Sequence, residues 1–432
     1  MEGFVQVKSR EMIKPSSQTL LHHKKLKLSY IDRLFSPLYV PLIFYYKADE
    51  SSGLTASNHL QISQQLKHCL LQALVSFYPL AGRLKSNTLV ECNDEGVEFV
   101  EARVHAHLED SLYMDDQLKH FLPSSCTKYH SGKRPRPVLV VQITFFDCGG
   151  LVVGAGFSHA ITDLASAMVF LHSWAAAFKG EVRIDRHNFG TTTCFPTLRI
   201  VPFSKFVRFF KPNEKFTTKK LVFNKEKLDI LRKAATSTSE SCVKDPSRIE
   251  VVSSFIWKHF MLARLQKGEA KKIYPAFHAV NLRPRTNPPR LLENVFGNCI
   301  MLAMAFPGSN NNLHLHELIG RLRSSIRRVR GDYITKPLNK ESYMKDMLKL
   351  GFLLMIGKVE WCFFTSWRGF PTYELDYGWG KPVWFTTPSM PCKNLIVLVS
   401  SKSGDDLEAI VIMKPQDIQF LDAQINLIST NI

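Results

Sequence analysis

A chain of 432 residues, at about 100 to 200 residues per domain, predicts two or three domains around a sizeable core and excludes a peptide hormone or a disulfide-stapled mini-domain. Hydrophobic residues make up 45%, charged residues 22% and aromatics 11%, the balance of an ordinary globular protein rather than a disordered or fibrous one. Lys and Arg exceed Asp and Glu by 56 to 38, a net charge of +18, which favours an anionic partner: nucleic acid, a phosphorylated cofactor or a membrane surface.

From Ser57 to Phe77, Leu66, Leu70, Leu74 and Phe77 fall at helical spacing, with Ser57 or Asn58 as N-cap and Pro79 ending the run, which predicts a core-facing helix. Thr88 to Glu91, Val97 to Val100 and Pro137 to Phe146 are β-branched or aromatic runs between turn residues and read as strands. Gly149 and Gly150 turn the chain into the apolar run LVVGAGF, and the stretch from Asp163 to Phe178 has helical length, so the order is strand, short turn, helix. From about 185 to 214 the pattern gives way to threonines, Pro196, Pro202, Pro212 and scattered basic residues, the composition of a crossover linker. Beyond it come a helix through Trp257 and Leu262, strands at Cys299 to Phe306 and Leu395 to Ser400, and a last helix from Pro415. The expected organisation is α/β throughout: a domain over 1–184, a linker over 185–214, and a second domain of similar size over 215–432.

The basic residues come in small groups, such as Lys24, Lys25 and Lys27 or Arg321, Arg323, Arg327, Arg328 and Arg330, without the interleaved aromatics of an RNA-binding sheet. Nucleic acid is therefore not expected, and the arginine group reads as a solvated helix face. Nine cysteines, with no CxxC pair among them, suggest neither a zinc knuckle nor a disulfide framework and fit a reducing compartment. The N-terminus MEGFVQVKSREMIKPSS lacks the apolar core of a signal peptide, and no run approaches the about 18 apolar residues of a membrane span. The expectation is a soluble, cytoplasmic chain without membrane contact.

Two strings could carry chemistry. In SHAITD, His159 and Asp163 follow the strand, and an imidazole there is suited to take a proton from an alcohol. The same pair also reads as a capping histidine beside a helix-starting aspartate. GFSHA approaches the G-x-S-x-G elbow of serine hydrolases, but Ala160 stands where the last glycine belongs, which argues against a Ser158 nucleophile. The second string, TSWRGFPTYELDYGWGKPVWF, gathers Trp367, Tyr373, Tyr377, Trp379 and Trp384 around Gly378 and Gly380, with Asp376 placed to anchor a turn. It reads equally as a buried aromatic corner. His105 and His107 alternate on one strand face without a third ligand nearby, so no metal is expected. Neither a Walker loop nor a dinucleotide fingerprint is present.

Together, SHAITD and DYGWGKP, roughly 210 residues apart, resemble the HxxxD and DFGWG signatures of the plant BAHD acyltransferases, which move an acyl group from a coenzyme A thioester to an alcohol or amine. Further agreement runs along nearly the whole chain in LSYIDRL, FYPLAGRL, FDCGGLVVG, EVVSSFIWK, NLRPR, NVFGN and LEAIV. The resemblance implies two mixed-sheet domains of the chloramphenicol acetyltransferase type with a solvent channel between them. It implies a monomer that uses acyl-CoA as co-substrate, with no permanently bound cofactor and a small-molecule alcohol as acceptor. His159 would be the general base of a ternary complex without an acyl-enzyme, and Trp379 a donor to the developing oxyanion. Asp163 would pair with Arg283 as a structural partner, while Asp376, Gly378 and Gly380 hold a loop. Coenzyme A would meet Ser253, Ser254 and Lys258, with Ser366 and Trp367 opposite. Three departures stand out: Leu164 follows Asp163 where a small residue is usual, Tyr377 replaces Phe, and Asp405-Asp406 lacks the usual separating glycine.

Members that acylate shikimate or quinate carry a second histidine before the base and a polar stretch near residue 40. Here Ser158 and the run Val40-Pro41-Leu42-Ile43-Phe44 stand in those places. An apolar wall cannot satisfy a polyol, so Val40, Leu42 and Phe44 are expected to line a pocket for a bulky apolar acceptor. LSYIDRLFSPLYVPLIFYY and VKDPSRIEVVSSFIWK look most like the alkaloid O-acetyltransferase branch, whose usual donor is acetyl-CoA. The alternative is an acylsugar acyltransferase loading short branched chains on sucrose. A non-catalytic binding module and a thioester hydrolase are the readings from other classes.

Overall fold

The structure is a computed structural model that describes residues 5–34, 38–86, 88–112, 115–127, 135–181, 187–189, 191–195, 216–237, 243–269, 272–286, 292–308, 313–329, 345, 348–353, 356–390 and 392–429. In chain order the strands are β1 (Gln6–Ile13), β2 (Lys25–Lys27), β3 (Tyr39–Tyr46), β4 (Arg83–Ser86), β5 (Leu89–Glu91), β6 (Val97–Val104), β7 (Arg136–Pro137), β8 (Leu139–Phe146), β9 (Leu151–Ser158), β10 (Thr217–Phe223), β11 (Ala276–Asn281), β12 (Ile300–Ala305), β13 (Cys362–Ser366), β14 (Trp384–Thr386), β15 (Leu395–Ser400) and β16 (Leu407–Met413). The longer helices are α1 (His59–Ser76), α2 (Leu164–Phe178), α3 (Lys225–Thr236), α4 (Arg248–Gln266), α5 (Leu315–Arg328) and α6 (Pro415–Asn426).

The chain divides into two units. The first comprises Met1–Ile200 with Asn294–Cys299 and Phe370–Ser389. Its main sheet has the order β1-β6-β8-β9-β3-β14 and is mixed, since β6 runs parallel to β8 while the other pairs are antiparallel. Every residue of β8 and β9 is buried, which is why both read as unbroken apolar runs rather than alternating ones. The expected helix is α1, and Leu66, Leu70, Leu74 and Phe77 are buried on its inner face. Asn58 stands at its N-cap, but its side-chain amide turns back to the Gly53 carbonyl instead of capping.

The second unit comprises Val201–Glu293, Ile300–Gly369 and Met390–Ile432, with the sheet order β10-β16-β15-β13-β11-β12. It too is mixed, because β13 lies parallel to both β11 and β15. Apolar residues of α3, α4, α5 and α6 share one core with those of its strands. Within it Arg264 is 2% exposed and bonds Asp417 at 2.7 Å and Glu360 at 3.2 and 3.3 Å.

The domain boundary expected at 215 needs correction. The DYGWG segment and NVFGN both lie beyond it in sequence, yet 370–389 and 294–299 belong to the first unit. The reason is backbone pairing: β14 adds to the edge of β3 through Trp384 to Thr386 opposite Tyr45 to Ile43. Asn188 and Asn294 to Phe296 are similarly tied by main-chain bonds. Most of the expected linker over 185–214 lies outside the described residues.

Candidate active site

The first unit's sheet delivers His159. Strand β9 ends at Ser158, paired with Tyr39, and the His159 amide donates to the Leu38 carbonyl at 2.7 Å. The next turn closes at Asp163, the N-cap of α2, whose carboxylate accepts the Ser166 amide at 2.9 Å. A strand end and a helix start thus clamp the histidine between two rigid elements. Its ring is half-buried, and loss of solvent pulls its pKa below the usual 6.5, against opposing hydrogen bonds to backbone and Asn298 and the charge of Asp163. The imidazole is therefore neutral at pH 7, the form a general base needs.

Two residues with no role expected from the sequence join this cluster. Asn298 accepts from His159 Nδ1 at 3.2 Å and is itself bonded to Asp32, which is buried. Their only sequence signals are the strings NVFGN and LSYIDRL, which carry no chemistry by themselves. Asp163 is 4% exposed, and its second oxygen accepts the Cys299 amide at 3.0 Å. The Ser158 and Thr162 hydroxyls are buried and lack hydrogen-bond partners among the described residues. Ser158 thus makes no dyad with His159, against the hydrolase elbow.

Trp379 is not near His159. Its indole stacks on Tyr377 and meets Phe178 at 4.8 Å and Tyr46 at 5.8 Å, edge to face. Phe178 is the last residue of α2, fifteen residues from the Asp163 cap, about 22 Å at 1.5 Å per residue. Tyr46 pairs with Leu151, at the far end of β9 from Ser158, about 23 Å at 3.3 Å per residue. Two independent rulers put the indole at the opposite end of both elements, so Trp379 does not bond an oxyanion at His159. The aromatic-corner reading of this string holds. Asp376 Oδ1 accepts the amides of Gly378 and Gly380 at 2.7 and 3.0 Å, and both glycines have φ near +100°, at +108° and +100°.

Of the expected acceptor wall, Leu42 and Phe44 are fully buried, Phe44 against Phe385, and only Val40 keeps exposed surface. In the second unit Ser253 is fully buried with its hydroxyl on His278 Nε2 at 3.0 Å, so it is a core hydrogen bond rather than a coenzyme contact. Ser254 is equally buried, its hydroxyl without a partner among the described residues. Lys258 on α4 and Ser366 at the end of β13 are half-buried. Trp367 is nearly buried and its amide donates to Leu398. Arg283 begins a short 3-10 turn whose first amide bonds the Asn281 side chain. The two strand histidines part company: His105 bonds Asp147, whereas the ligand atoms of His107, Glu109 and Cys148 lie within 4.8 Å of one another at the surface. Glu109 there already pairs with Lys47.

Comparison with known proteins decides the family. The family model described as "Transferase family" matches residues 4–427. Vinorine synthase from Rauvolfia serpentina is 36% identical over 424 residues, covering 96% of each chain. Its crystal structure superposes with a TM-score of 0.83, covering 98% of each. The chain belongs to the BAHD acyltransferase family. It is an acyl-CoA-dependent O-acyltransferase with acyl-CoA as co-substrate and a small molecule as acceptor. Other BAHD relatives include stemmadenine O-acetyltransferase from Catharanthus roseus, 34% identical over 97% of this chain and 96% of the relative. Limonoid 7-O-acetyltransferase from Citrus sinensis is 30% identical over 96% of each. Among the described residues no helix is long and apolar enough to cross a membrane.

Proposed function

We propose that this BAHD enzyme transfers an acetyl group from acetyl-CoA to one hydroxyl of a bulky, apolar, polycyclic plant metabolite, an alkaloid before any other class. The full-length likeness to vinorine synthase carries this reading, and the name of the next relative points the same way. His159 is the general base. It takes the acceptor's hydroxyl proton as that oxygen attacks the thioester carbonyl; the tetrahedral adduct then expels the coenzyme A thiolate, to which the proton returns. A neutral imidazole at neutral pH supports this role. The limonoid relative makes a polycyclic terpenoid alcohol the second acceptor class.

Incubating the enzyme with acetyl-CoA and a panel of polycyclic alkaloid and terpenoid alcohols, sucrose and shikimate tests the reading. Free thiol should appear only with a polycyclic apolar acceptor. Thiol release without any acceptor would make the enzyme a hydrolase, and a preference for isobutyryl-CoA with sucrose would make it an acylsugar acyltransferase. Silence across the panel would favour a binding module.

A further inference from the structure

We propose that Asp32 and Asn298 are positioning residues that fix which nitrogen of His159 carries the proton: Nδ1–H is donated to Asn298, and Nε2 is left as the basic nitrogen. This deepens, and rests on, the assignment of His159 as the base.

The argument is one of donors and acceptors. Asn298 is fully buried. Its side-chain nitrogen lies 3.0 Å from Asp32 Oδ1 and 2.9 Å from the His159 carbonyl oxygen. The carbonyl can only accept, so the amide –NH2 must face it, and its second hydrogen falls on Asp32 Oδ1, the oxygen that also takes the Asn298 backbone N–H. The atom 3.2 Å from His159 Nδ1 is therefore the amide oxygen, which can only accept. Nδ1 must donate, and in a neutral ring the lone pair then sits on Nε2.

Asp32 makes that orientation unique. An asparagine turned the other way would present N–H to Nδ1, forcing the proton onto Nε2 and removing the base, the fault that arises when an asparagine replaces the aspartate of a serine-protease triad. Here Asp32 Oδ1 and the His159 carbonyl together oppose the turn, since it would set the amide oxygen against both of their oxygens. Asp32 is itself held by five donors: Oδ1 takes the backbone and side-chain N–H of Asn298, and Oδ2 takes the Ser29 amide, the Ser29 hydroxyl and the Thr191 hydroxyl at 2.7 to 2.9 Å. The backbone before Asn298 is fitted to this nest. Gly297 has φ +139°, and a Cβ there would lie 2.3 Å from Thr191 Cγ2, so only glycine lets 297–298 approach Asp32 this closely.

A neutral amide also differs from a triad carboxylate in effect. It orients the ring without adding a second negative charge beside it, so it draws the imidazole toward its charged form less than a carboxylate would.

The test is a nitrogen-15 spectrum of the full-length enzyme labelled at histidine, with the His159 signals assigned by their loss in His159→Gln. At pH 7.5 the wild type should show Nδ1 protonated and Nε2 unprotonated. Asn298→Leu and Asp32→Leu should move the population toward Nε2–H and lower kcat by roughly 10- to 100-fold, with KM for both substrates changed less than about threefold. The exchange Asp32→Asn with Asn298→Asp re-creates an acceptor at Nδ1 and should recover the original tautomer better than Asn298→Leu does. A wild-type spectrum with Nε2 protonated overturns the proposal, even if every variant fails to fold. Should Nδ1 prove protonated while His159→Ala remains fully active, the base assignment falls and the tautomer assignment stands.

Discussion

Replacing Asp163 with asparagine should damage the fold more than the chemistry. The carboxylate spans two segments of the first unit, capping α2 through the Ser166 amide and accepting the Cys299 amide through its other oxygen. Asparagine keeps one carbonyl oxygen, which can still cap, but sets an N–H2 against the Cys299 N–H. A hydrogen bond to a charged group contributes about 1.5 to 3 kcal/mol, and the buried amide left unpaired costs a further about 1 kcal/mol or more. The sum is about 2.5 to 4 kcal/mol, or about 5 to 16 °C in Tm for a cooperative unit of about 200 residues. Catalysis should suffer less, because the bond on His159 Nδ1 comes from Asn298. Thermal unfolding by calorimetry and initial rates at 15 °C measure the two effects separately. An unchanged Tm with kcat reduced more than 100-fold would refute the reasoning and place Asp163 in direct service of the base.

His159→Ala should lower kcat by about 10² to 10⁴ with unchanged Tm. In the wild type the acid limb of kcat/KM should fall below pH 6.5, since burial depresses the imidazole pKa, and Asp163→Asn should move that limb lower still by removing a charge that holds it up; a limb above 6.5 in a pH–rate profile contradicts both. His278 is buried in the second unit and its pKa is pushed down to about 4 by desolvation. Between pH 6.5 and 4 the unfolded chain takes up a proton that the folded chain refuses, so stability falls with acid, by up to about 3 kcal/mol from this group; urea titrations at pH 7 and 5 should show a shallower loss in His278→Gln. Arg264→Met should cost no more than about 3 to 5 kcal/mol in the same assay, because it takes the buried guanidinium from Asp417 and Glu360 but leaves them Lys267 and Lys393.

Elements whose burial pattern is regular were legible in the sequence. The α1 stripe and the runs that became β8 and β9 declared themselves because one face, or both, had to be apolar. Strands β1 and β14 did not. The residues of β1 are nearly all solvent-facing, and β14 is three residues long; both exist because a neighbour offers an edge to pair with. For the same reason the domain division at 215 misplaced DYGWG: sequence order says nothing of a return crossing that adds a strand to the other unit.

The site was legible where its chemistry is contiguous and illegible where it is assembled. SHAITD contains a titratable ring at the end of a strand, and that much can be read from one window of sequence. What sets the protonation of that ring comes from residues 29–32, 191 and 297–298, brought to it by the fold, and neither asparagine nor a buried aspartate advertises such work in one dimension. Trp379 shows the opposite error. Aromatic residues interrupted by glycines look like a ligand-facing loop, yet Tyr46, Trp174, Phe178, Tyr377 and Trp379 stack on one another, and the glycines serve only to turn the backbone around Asp376. The two motifs therefore divide the work along α2: SHAITD at its first turn places His159, the proposed base, while DYGWG at its last turn secures the helix against β3. A helix held at both ends presents the cap, and with it His159, in one geometry, so a motif about 20 Å from His159 can bear on the ring's placement without touching it.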